Sequence, residues 1–143
     1  MKVREIMTPR PVAVGTDEPV AAAARLLSRH NVGALPVTAQ GGRLVGMLTD
    51  RDIAVRCVAA NFDPNITRVR TVMSSGPVTV PAEESGEKAA RTMGRHRVQR
   101  LPVTENGRLV GMLSRGDFAA YADRSGEAAR ALRTSFGSED GAE

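Results

Sequence analysis

Apolar and polar positions follow one pattern in the first half of the chain and repeat it in the second half. Helical stripes of small apolar residues run to about His30 and His96, and each stripe begins after an acidic pair. Apolar runs typical of strands occur three times in each half, at residues 12–14, 34–37 and 44–48 and again at 78–80, 100–103 and 109–113. A further helical segment follows the last run of each half. The pattern therefore predicts the order strand, helix, strand, strand, helix, twice.

In each half a crossover of about a dozen or more residues separates the first two strands, which predicts that these strands are parallel. Pro36 and Pro102 interrupt the second strand pattern, and we expect each of them at a sheet edge or at the start of a strand. Neither half is large enough to bury its sheet alone. We therefore predict an α/β (α+β) fold in which two repeats pack about a pseudo-twofold axis.

Changes in pattern divide the 143 residues into four parts. They are a first repeat at residues 1–60, a connecting segment at 61–68, a second repeat at 69–123 and a C-terminal part at 124–143. Within the last part, the Ala- and Arg-rich stretch 126–133 predicts a short helix, and residues 137–143 predict a frayed tail.

The most informative stretch is the junction between the last strand and the helix that follows it. The sequence Gly-Met-Leu-Thr-Asp-Arg-Asp, ending at Asp52, returns as Gly-Met-Leu-Ser-Arg-Gly-Asp, ending at Asp117. The free N–H groups of a helix N-terminus favour a phosphate, and a carboxylate one turn into the helix can accept hydrogen bonds from a ribose diol. A hydroxyl three residues before an acid is also a capping box, which only satisfies backbone donors. Both interpretations remain open for the two pairs, Thr49 with Asp52 and Ser114 with Asp117.

The composition narrows the classes of function. Lys and Arg number 20 against 16 Asp and Glu, and this mild excess of +4 is spread over both halves, which argues against a basic arm for nucleic acid. Aromatic residues make up 3% of the chain, too few for a base-stacking platform. The sequence contains no nucleophile–base pair, P-loop or dinucleotide glycine motif, and no Cys or second His lies at metal-ligand spacing from His30 or His96. We expect neither an enzyme nor a metal site.

Cys57 is the single cysteine, so an internal disulfide is excluded and a buried thiol in a reducing compartment is expected. No apolar run reaches the roughly eighteen residues of a membrane span. The first residues also lack the apolar centre of a signal peptide. We therefore predict a cytoplasmic protein with no contact to a membrane.

Three motifs occur in the same order in both halves. They are Val-x-x-Ile-Met-Thr-Pro at the start, Ala-Leu-Pro-Val or Arg-Leu-Pro-Val midway, and Gly-Met-Leu-Thr-x-x-Asp at the end, with small variations in the second half. Together they resemble the CBS-domain pair, also called the Bateman module, over residues 2 to 122 or so. The layout is similar to that of short stand-alone bacterial CBS proteins, including the hypoxic-response type. The resemblance implies a cytosolic sensor of an adenosine ligand that pairs into a flat dimer.

The resemblance also implies a set of site residues. Phosphate and ribose would be held by the two hydroxyl–acid pairs, Thr49 with Asp52 and Ser114 with Asp117. The base would lie near the first strand and the Leu-Pro-Val strand, at Val12, Ala13, Ala34 and Pro36 in the first half and at Val78, Thr79 and Pro102 in the second. Arg100 stands where the family often directs a basic residue toward the ligand phosphates. A solvated surface arginine is the alternative interpretation of Arg100.

We therefore expect a regulatory module in signal transduction that binds AMP, ADP or ATP, with S-adenosylmethionine or NAD as further candidates, and needs no obligatory cofactor. The ligand would bridge the two repeats and shift the conformation of a dimer or of a protein target that the sequence does not identify. A homodimer through the Ala-rich helices at residues 17–30 and 83–96 is expected. A ligand-independent interaction or stress-response protein with the same fold is the alternative, and nucleic-acid binding is a weaker one.

Overall fold

The structure is a computed structural model of the chain, and it describes residues 1–125. Its elements are α1 (Val3–Ile6), β1 (Thr8–Pro9), β2 (Val14–Gly15), α2 (Val20–His30), β3 (Ala34–Thr38), β4 (Leu44–Thr49), α3 (Asp50–Asp52), α4 (Val69–Val72), β5 (Ser74–Ser75), β6 (Val80–Pro81), α5 (Gly86–His96), β7 (Arg100–Glu105), β8 (Arg108–Ser114) and α6 (Arg115–Ser125). Residues Ile53–Val58 continue α3 as a π-helix. The helix predicted at 126–133 and the tail predicted at 137–143 lie outside the described residues.

The strands form two four-stranded sheets, in the orders β2-β3-β4-β5 and β1-β8-β7-β6. β2 is parallel to β3, with Val14 beside Val37, and β6 is parallel to β7, with Val80 beside Val103. These pairs confirm the parallel strands predicted for each half, with α2 and α5 as the crossovers. The predicted mixed α/β architecture is thus confirmed.

Pro36 and Pro102 lie inside strands β3 and β7, which are internal strands of their sheets, so the expectation of a sheet edge or a strand start is wrong. The short partner strands explain the difference. β2 is parallel to β3 and begins opposite Val37, one residue past Pro36, so it requires no N–H group from this proline. β6 likewise begins opposite Val103, one residue past Pro102.

Each sheet takes one outer strand from the other repeat. β1, at the start of the chain, pairs with β8, and β5, at the start of the second repeat, pairs with β4. The chain consequently forms two compact units that differ from the two repeats. Among the described residues, the Asp117 unit contains residues 1–11, 78–106 and 110–125, and the Asp52 unit contains residues 12–77 and 107–109. The repeat pattern in the sequence does not reveal this exchange.

Each unit has its own hydrophobic core. In the Asp52 unit, Val20, Ala23 and Leu27 form the buried stripe of α2. They belong to one cluster with Leu35 and Leu48, which are opposite each other on β3 and β4. The core of the Asp117 unit is built in the same way and includes Ala89, Ala90, Met93, Leu101 and Leu113. Ala23 of α2 and Ala89 and Ala90 of α5 are thus used for close packing on their own sheets.

Backbone hydrogen bonds attach each exchanged segment to its sheet. Val3 N donates to Glu84 O at 2.8 Å, and the repeat-equivalent bond from Val69 N to Glu18 O measures 2.9 Å. The predicted connecting segment 61–68 is also anchored, because Thr67 O accepts from Val20 N at 2.8 Å. The first turn of α2 has no side-chain cap, and this segment supplies an acceptor in its place.

Ion pairs reinforce the attachment of the N-terminal segment. Lys2 Nζ and Arg4 Nε each donate to a carboxylate oxygen of Glu83 at 2.8 Å. The hydrogen bond from Lys2, followed by that from Arg4, lowers the pKa of the Glu83 carboxyl. The equivalent positions of the Asp52 unit form a similar pair, in which Arg70 Nη1 lies 2.6 Å from Asp17 Oδ1. The same charge pattern therefore fixes both exchanged segments.

Candidate functional site

The junction between β4 and α3 forms a capping box. Thr49 Oγ1 accepts a hydrogen bond from Asp52 N at 2.9 Å, and Asp52 Oδ2 accepts one from Thr49 N at 3.0 Å. Thr49 still has an extended backbone, with φ −107° and ψ 161°, and the helix begins at the next residue. The local capping role that the sequence left open therefore exists here.

The junction between β8 and α6 has the same geometry. Asp117 N donates to Ser114 Oγ at 3.2 Å, and Asp117 Oδ2 accepts from Ser114 N at 2.8 Å. Aspartate is shorter than the glutamate that usually closes a capping box, yet it reaches the backbone N–H in both junctions. Each box uses one carboxylate oxygen, Oδ2, and leaves Oδ1 for other partners.

The two carboxylates differ in the group that lies next to Oδ1. Asp117 Oδ1 accepts a hydrogen bond from Thr8 Oγ1 at 3.3 Å. Asp52 Oδ1 instead lies 4.0 Å from Arg56 Nε, and Arg56 Nη1 donates to Met73 O at 3.1 Å. The side chain of Asp52 is 14% exposed. Because a carboxylate oxygen has lone pairs for more than one hydrogen bond, capping does not prevent either Oδ1 from accepting a further donor.

The first-turn N–H groups that were expected to be free for a phosphate are satisfied by the protein at the Asp52 junction. Asp50 N donates to Gly33 O at 3.0 Å, and Arg51 N donates to Asp50 Oδ1 at 2.8 Å. The third N–H group, that of Asp52, belongs to the capping box. The expectation of free donors is therefore wrong at this junction, because the chain before β3 and a local side chain supply the acceptors.

At the Asp117 junction, fewer first-turn N–H groups are bound by acceptors within the described part of the protein. Arg115 N donates to Gln99 O at 3.2 Å, as at the other junction. At the other junction Asp50 Oδ1 accepts from Arg51 N, whereas the equivalent residue here is Arg115, whose guanidinium cannot accept a hydrogen bond from Gly116 N. Phosphate binding at a helix N-terminus is thus better supported at this junction than at the Asp52 junction.

Arg100 begins β7 next to the Asp117 junction, because the residue before it accepts the hydrogen bond from Arg115 N. Its side chain is exposed and, within the described part of the chain, forms no ion pair or hydrogen bond. Pro102, two residues later, is buried. Arg100 therefore lies near Ser114 and has no acidic partner among the described residues. Its positive charge is available to a phosphate.

The strand register brings three predicted site residues together in the Asp52 unit. Ala34 lies directly opposite Thr49, and Pro36 lies opposite Met47. Because side chains alternate between the faces of a strand, Ala34, Pro36 and Thr49 share one face of the sheet. The core residue Leu35 lies on the other face. The predicted base slot thus adjoins the capping box within this unit.

The predicted base-slot residues near the first strand of each repeat lie just before that strand, because β2 and β6 begin two residues later than predicted. Val12 is 37% exposed and Ala13 is half-buried. Thr79 is exposed, and Val78 packs against the core of the Asp117 unit. These residues therefore lie outside β2 and β6, and their backbone groups take no part in the hydrogen bonding of these two strands.

Sequence reasoning missed Thr8 and Arg56. Thr8 is 109 residues from Asp117, so the strand exchange had to be known before the two could be placed together. The Met-Thr-Pro motif, repeated as Met-Ser-Ser, was a signal for Thr8. The spacing of four residues on a helix was the signal that Arg56 lies beside Asp52.

Metal-ligand side chains are dispersed in the part of the chain that the structure describes. Between residues 1 and 125, no group of three or more His, Cys, Asp and Glu side chains comes together as a metal site requires. Cys57 is a buried free thiol that donates to Phe62 O at 3.6 Å. In the same range, no helix combines the length and apolar character needed to cross a membrane.

Comparison with known proteins identifies the repeats. The CBS domain model matches residues 3–58 and 69–124. The chain is 37% identical over 118 residues to Hypoxic response protein 1 of Mycobacterium tuberculosis, covering 82% of both chains. It is 42% identical over 117 residues to the CBS domain-containing protein YhcV of Bacillus subtilis, again covering 82% of both.

Solved structures share the fold. The crystal structure of Hypoxic Response Protein I with two coordinated zinc ions has a TM-score of 0.76 at 36% identity, covering 85% of this chain and 98% of that one. CBSX2 in complex with AMP has a TM-score of 0.74 at 29% identity, with 86% and 96% covered. The CBS domain pair of protein MJ0100 in complex with 5′-methylthioadenosine and S-adenosyl-L-methionine has a TM-score of 0.70 at 25% identity, with 87% and 97% covered. The chain therefore belongs to the CBS domain family, as a tandem pair of CBS domains.

Proposed function

We propose that this CBS pair is a regulatory module in signal transduction that binds an adenosine nucleotide of the AMP, ADP or ATP type, and that it is not an enzyme. The observation that carries the proposal is the pairing, found twice, of a hydroxyl with a carboxylate whose second oxygen is not used by the capping box. Asp117 and Asp52 each supply such an oxygen, which suits a ribose hydroxyl. The Asp117 unit is the stronger candidate, because it also contains the N–H group of Gly116 and the unpaired Arg100.

Two related structures support the class of ligand. CBSX2 contains AMP, and the MJ0100 pair contains 5′-methylthioadenosine and S-adenosyl-L-methionine. All three compounds contain adenosine, so an adenosine moiety is the shared chemistry. We therefore propose an adenosine ligand for this chain too, with S-adenosylmethionine and NAD as candidates beside the nucleotides and with no obligatory cofactor.

The proposed roles follow the geometry of each unit. Ribose hydroxyls bind the carboxylates, and the hydroxyls of Thr49 and Ser114 donate to phosphate oxygens. Arg100 provides the positive charge for the phosphates. The adenine base lies against the apolar segments of the two units, at Val12, Ala13, Ala34 and Pro36 and at Val78, Thr79 and Pro102. Both repeats, residues 1–60 and 69–123, are required for function.

We further propose a cytoplasmic homodimer whose conformation, or that of a protein target, responds to the ligand. The buried free thiol of Cys57 is consistent with a reducing compartment. A ligand-independent interaction protein is the second candidate, and one observation favours it. The Asp52 unit exposes apolar side chains on and after the π-helix, namely Val55, Val58, Phe62 and Ile66, of which Ile66 is 78% exposed.

Ligand titration tests the proposal. A ligand held a hundredfold above its dissociation constant adds about 2.7 kcal/mol to the stability of the folded state, so AMP, ADP or ATP should raise the melting temperature. Isothermal titration then gives the affinity and the number of sites. If none of the adenosine ligands, including S-adenosylmethionine and NAD, shifts melting at millimolar concentration, the sensor function is wrong and the interaction protein takes its place. Light scattering that returns a monomer mass would exclude the homodimer.

A further inference from the structure

Thr8 belongs to the first repeat in the sequence but lies in the Asp117 unit. Its strand β1 pairs with β8, where Thr8 is opposite Met112. This register brings Thr8 Oγ1 to 3.3 Å from Asp117 Oδ1. The carboxylate oxygen that the capping box leaves unused therefore has a hydroxyl from the exchanged N-terminal segment beside it.

The chemistry of this contact leaves both groups able to accept hydrogen bonds. Thr8 has one hydroxyl hydrogen, which it donates to Asp117, so its own oxygen keeps its lone pairs. The Thr8 residue is exposed, which leaves the oxygen open to solvent. Two acceptors at 3.3 Å from each other match the two neighbouring donors of a ribose cis-diol. The arrangement is more specific for a diol than a lone carboxylate is.

We propose that Thr8 is a ligand-contacting residue of the Asp117 site, where it accepts one ribose hydroxyl while Asp117 accepts the other. This inference rests on the proposed adenosine-binding function. Its consequence is that the N-terminal segment completes a site whose other residues come from the second repeat. Bound ligand therefore links β1 to the first turn of α6 and holds the N-terminal segment on its sheet.

The Asp52 unit does not offer the same pair of acceptors. Ser74 is the repeat-equivalent of Thr8, and among the described residues no hydrogen bond joins its side chain to Asp52. Arg56 lies beside Asp52 Oδ1 instead and binds the carbonyl of Met73, the residue before β5. A guanidinium only donates hydrogen bonds, so this unit cannot accept both hydroxyls of a diol through the equivalent pair. The two sites are thus chemically different, and a matched serine is available as a control.

Isothermal titration with AMP on the full chain tests the role of Thr8. Thr8→Val keeps the shape of the side chain but removes the hydroxyl, and it is expected to weaken AMP binding about three- to tenfold, the range of a neutral hydrogen bond. Thr8→Ser restores the hydroxyl and is expected to bind as the wild type does. Ser74→Ala, the matched control on the other exchanged segment, is expected to leave AMP affinity unchanged. The melting temperature of each variant without ligand shows whether it is folded.

Deoxynucleotides distinguish contact from indirect support. If Thr8 accepts a ribose hydroxyl, Thr8→Val has no effect on the affinity for the one ligand, 2′-deoxy-AMP or 3′-deoxy-AMP, that lacks this hydroxyl. Hydrogen exchange of residues 1–9 is also expected to slow when AMP is added to the wild type. An equal loss for all three ligands would make Thr8 a structural residue and overturn the inference. Wild-type AMP affinity in Thr8→Val would overturn it too while leaving the proposed function intact. Failure of the wild type to bind AMP and every other adenosine ligand named above would overturn both.

Discussion

Asp117 contributes to a capping box and, by the proposed function, to a ligand site, and two substitutions separate these contributions. Asp117→Ala removes the acceptor for Ser114 N at 2.8 Å and the negative charge at the start of α6. Loss of such a cap costs about 1 kcal/mol, and loss of the charge costs about 0.3–1 kcal/mol, so the free energy of unfolding should fall by about 1.5 kcal/mol. Asp117→Asn keeps an oxygen for the cap and should lose only the charge contribution.

The two substitutions of Asp117 differ in their expected effect on stability but not in their expected effect on ligand affinity. The remaining carboxylate oxygen would form a charged hydrogen bond with ribose, which is worth about 1.5–3 kcal/mol. Both substitutions should therefore weaken AMP binding by about tenfold to a hundredfold, although only the alanine variant is clearly destabilised. Urea unfolding measures stability, and isothermal titration measures affinity. Asp123→Asn is the matched control, because this exposed aspartate of α6 lies outside the capping box.

One result would refute the ligand role of Asp117. If Asp117→Ala loses stability as expected while both variants bind AMP as tightly as the control does, the carboxylate is only a helix cap. Equal destabilisation by both substitutions would instead show that charge, rather than the hydrogen bond to Ser114 N, is what the helix requires.

Three further predictions concern the phosphate, the strand exchange and the N-terminal ion pairs. Arg100→Ala should weaken AMP binding by about 1.5–3 kcal/mol and leave adenosine binding nearly unchanged, and equal losses in titration would mean that Arg100 shapes the pocket instead. Gly46→Ala should lower the free energy of unfolding in urea by about 1–3 kcal/mol, and by more than Gly111→Ala does. The new Cβ at Gly46 would lie 2.7 Å from a backbone oxygen of β5, whereas the one at Gly111 would lie 3.0 Å from a backbone oxygen of β1. The reverse order of the two losses would contradict the close crossing of β5. Glu83→Gln should lower stability slightly at pH 7, and the difference should shrink in acid. The lowered pKa of Glu83 gives a contribution that is present above its usual value of 4.5 and lost as pH falls through the folded value. A difference that stays constant as the pH is lowered through the acid range would show that the ion pairs are not its source.

The sequence by itself determined the features that depend on neighbouring residues. The order of strands and helices follows from hydrophobic periodicity, and the Asn106-Gly107 turn has the positive φ values, 53° and 78°, that its residue types favour. The capping boxes were also readable, because hydroxyl and carboxylate are three residues apart. In each of these cases the interacting groups are brought together by a single turn of backbone.

Only the tertiary structure decided which strand completes which sheet. The motifs that contain β1 and β5 are similar, so the sequence of each segment is compatible with pairing to either sheet. The close approach at Gly46 and Gly111 and the pairing of Arg4 with Glu83 depend on side chains that are distant in the chain. Such contacts leave no periodic signal in the sequence.

The two candidate sites show the same division. Sequence reasoning placed Asp52 and Asp117 at equivalent helix starts but could not show that one is next to Arg56 and the other next to Thr8. It also could not show that the acceptor for Asp50 N comes from the chain before β3. Hydrogen-bond donors and acceptors find their partners only when the chain has folded. The residues that the fold brings to a helix start therefore decide which of its N–H groups and carboxylate oxygens can bind a ligand.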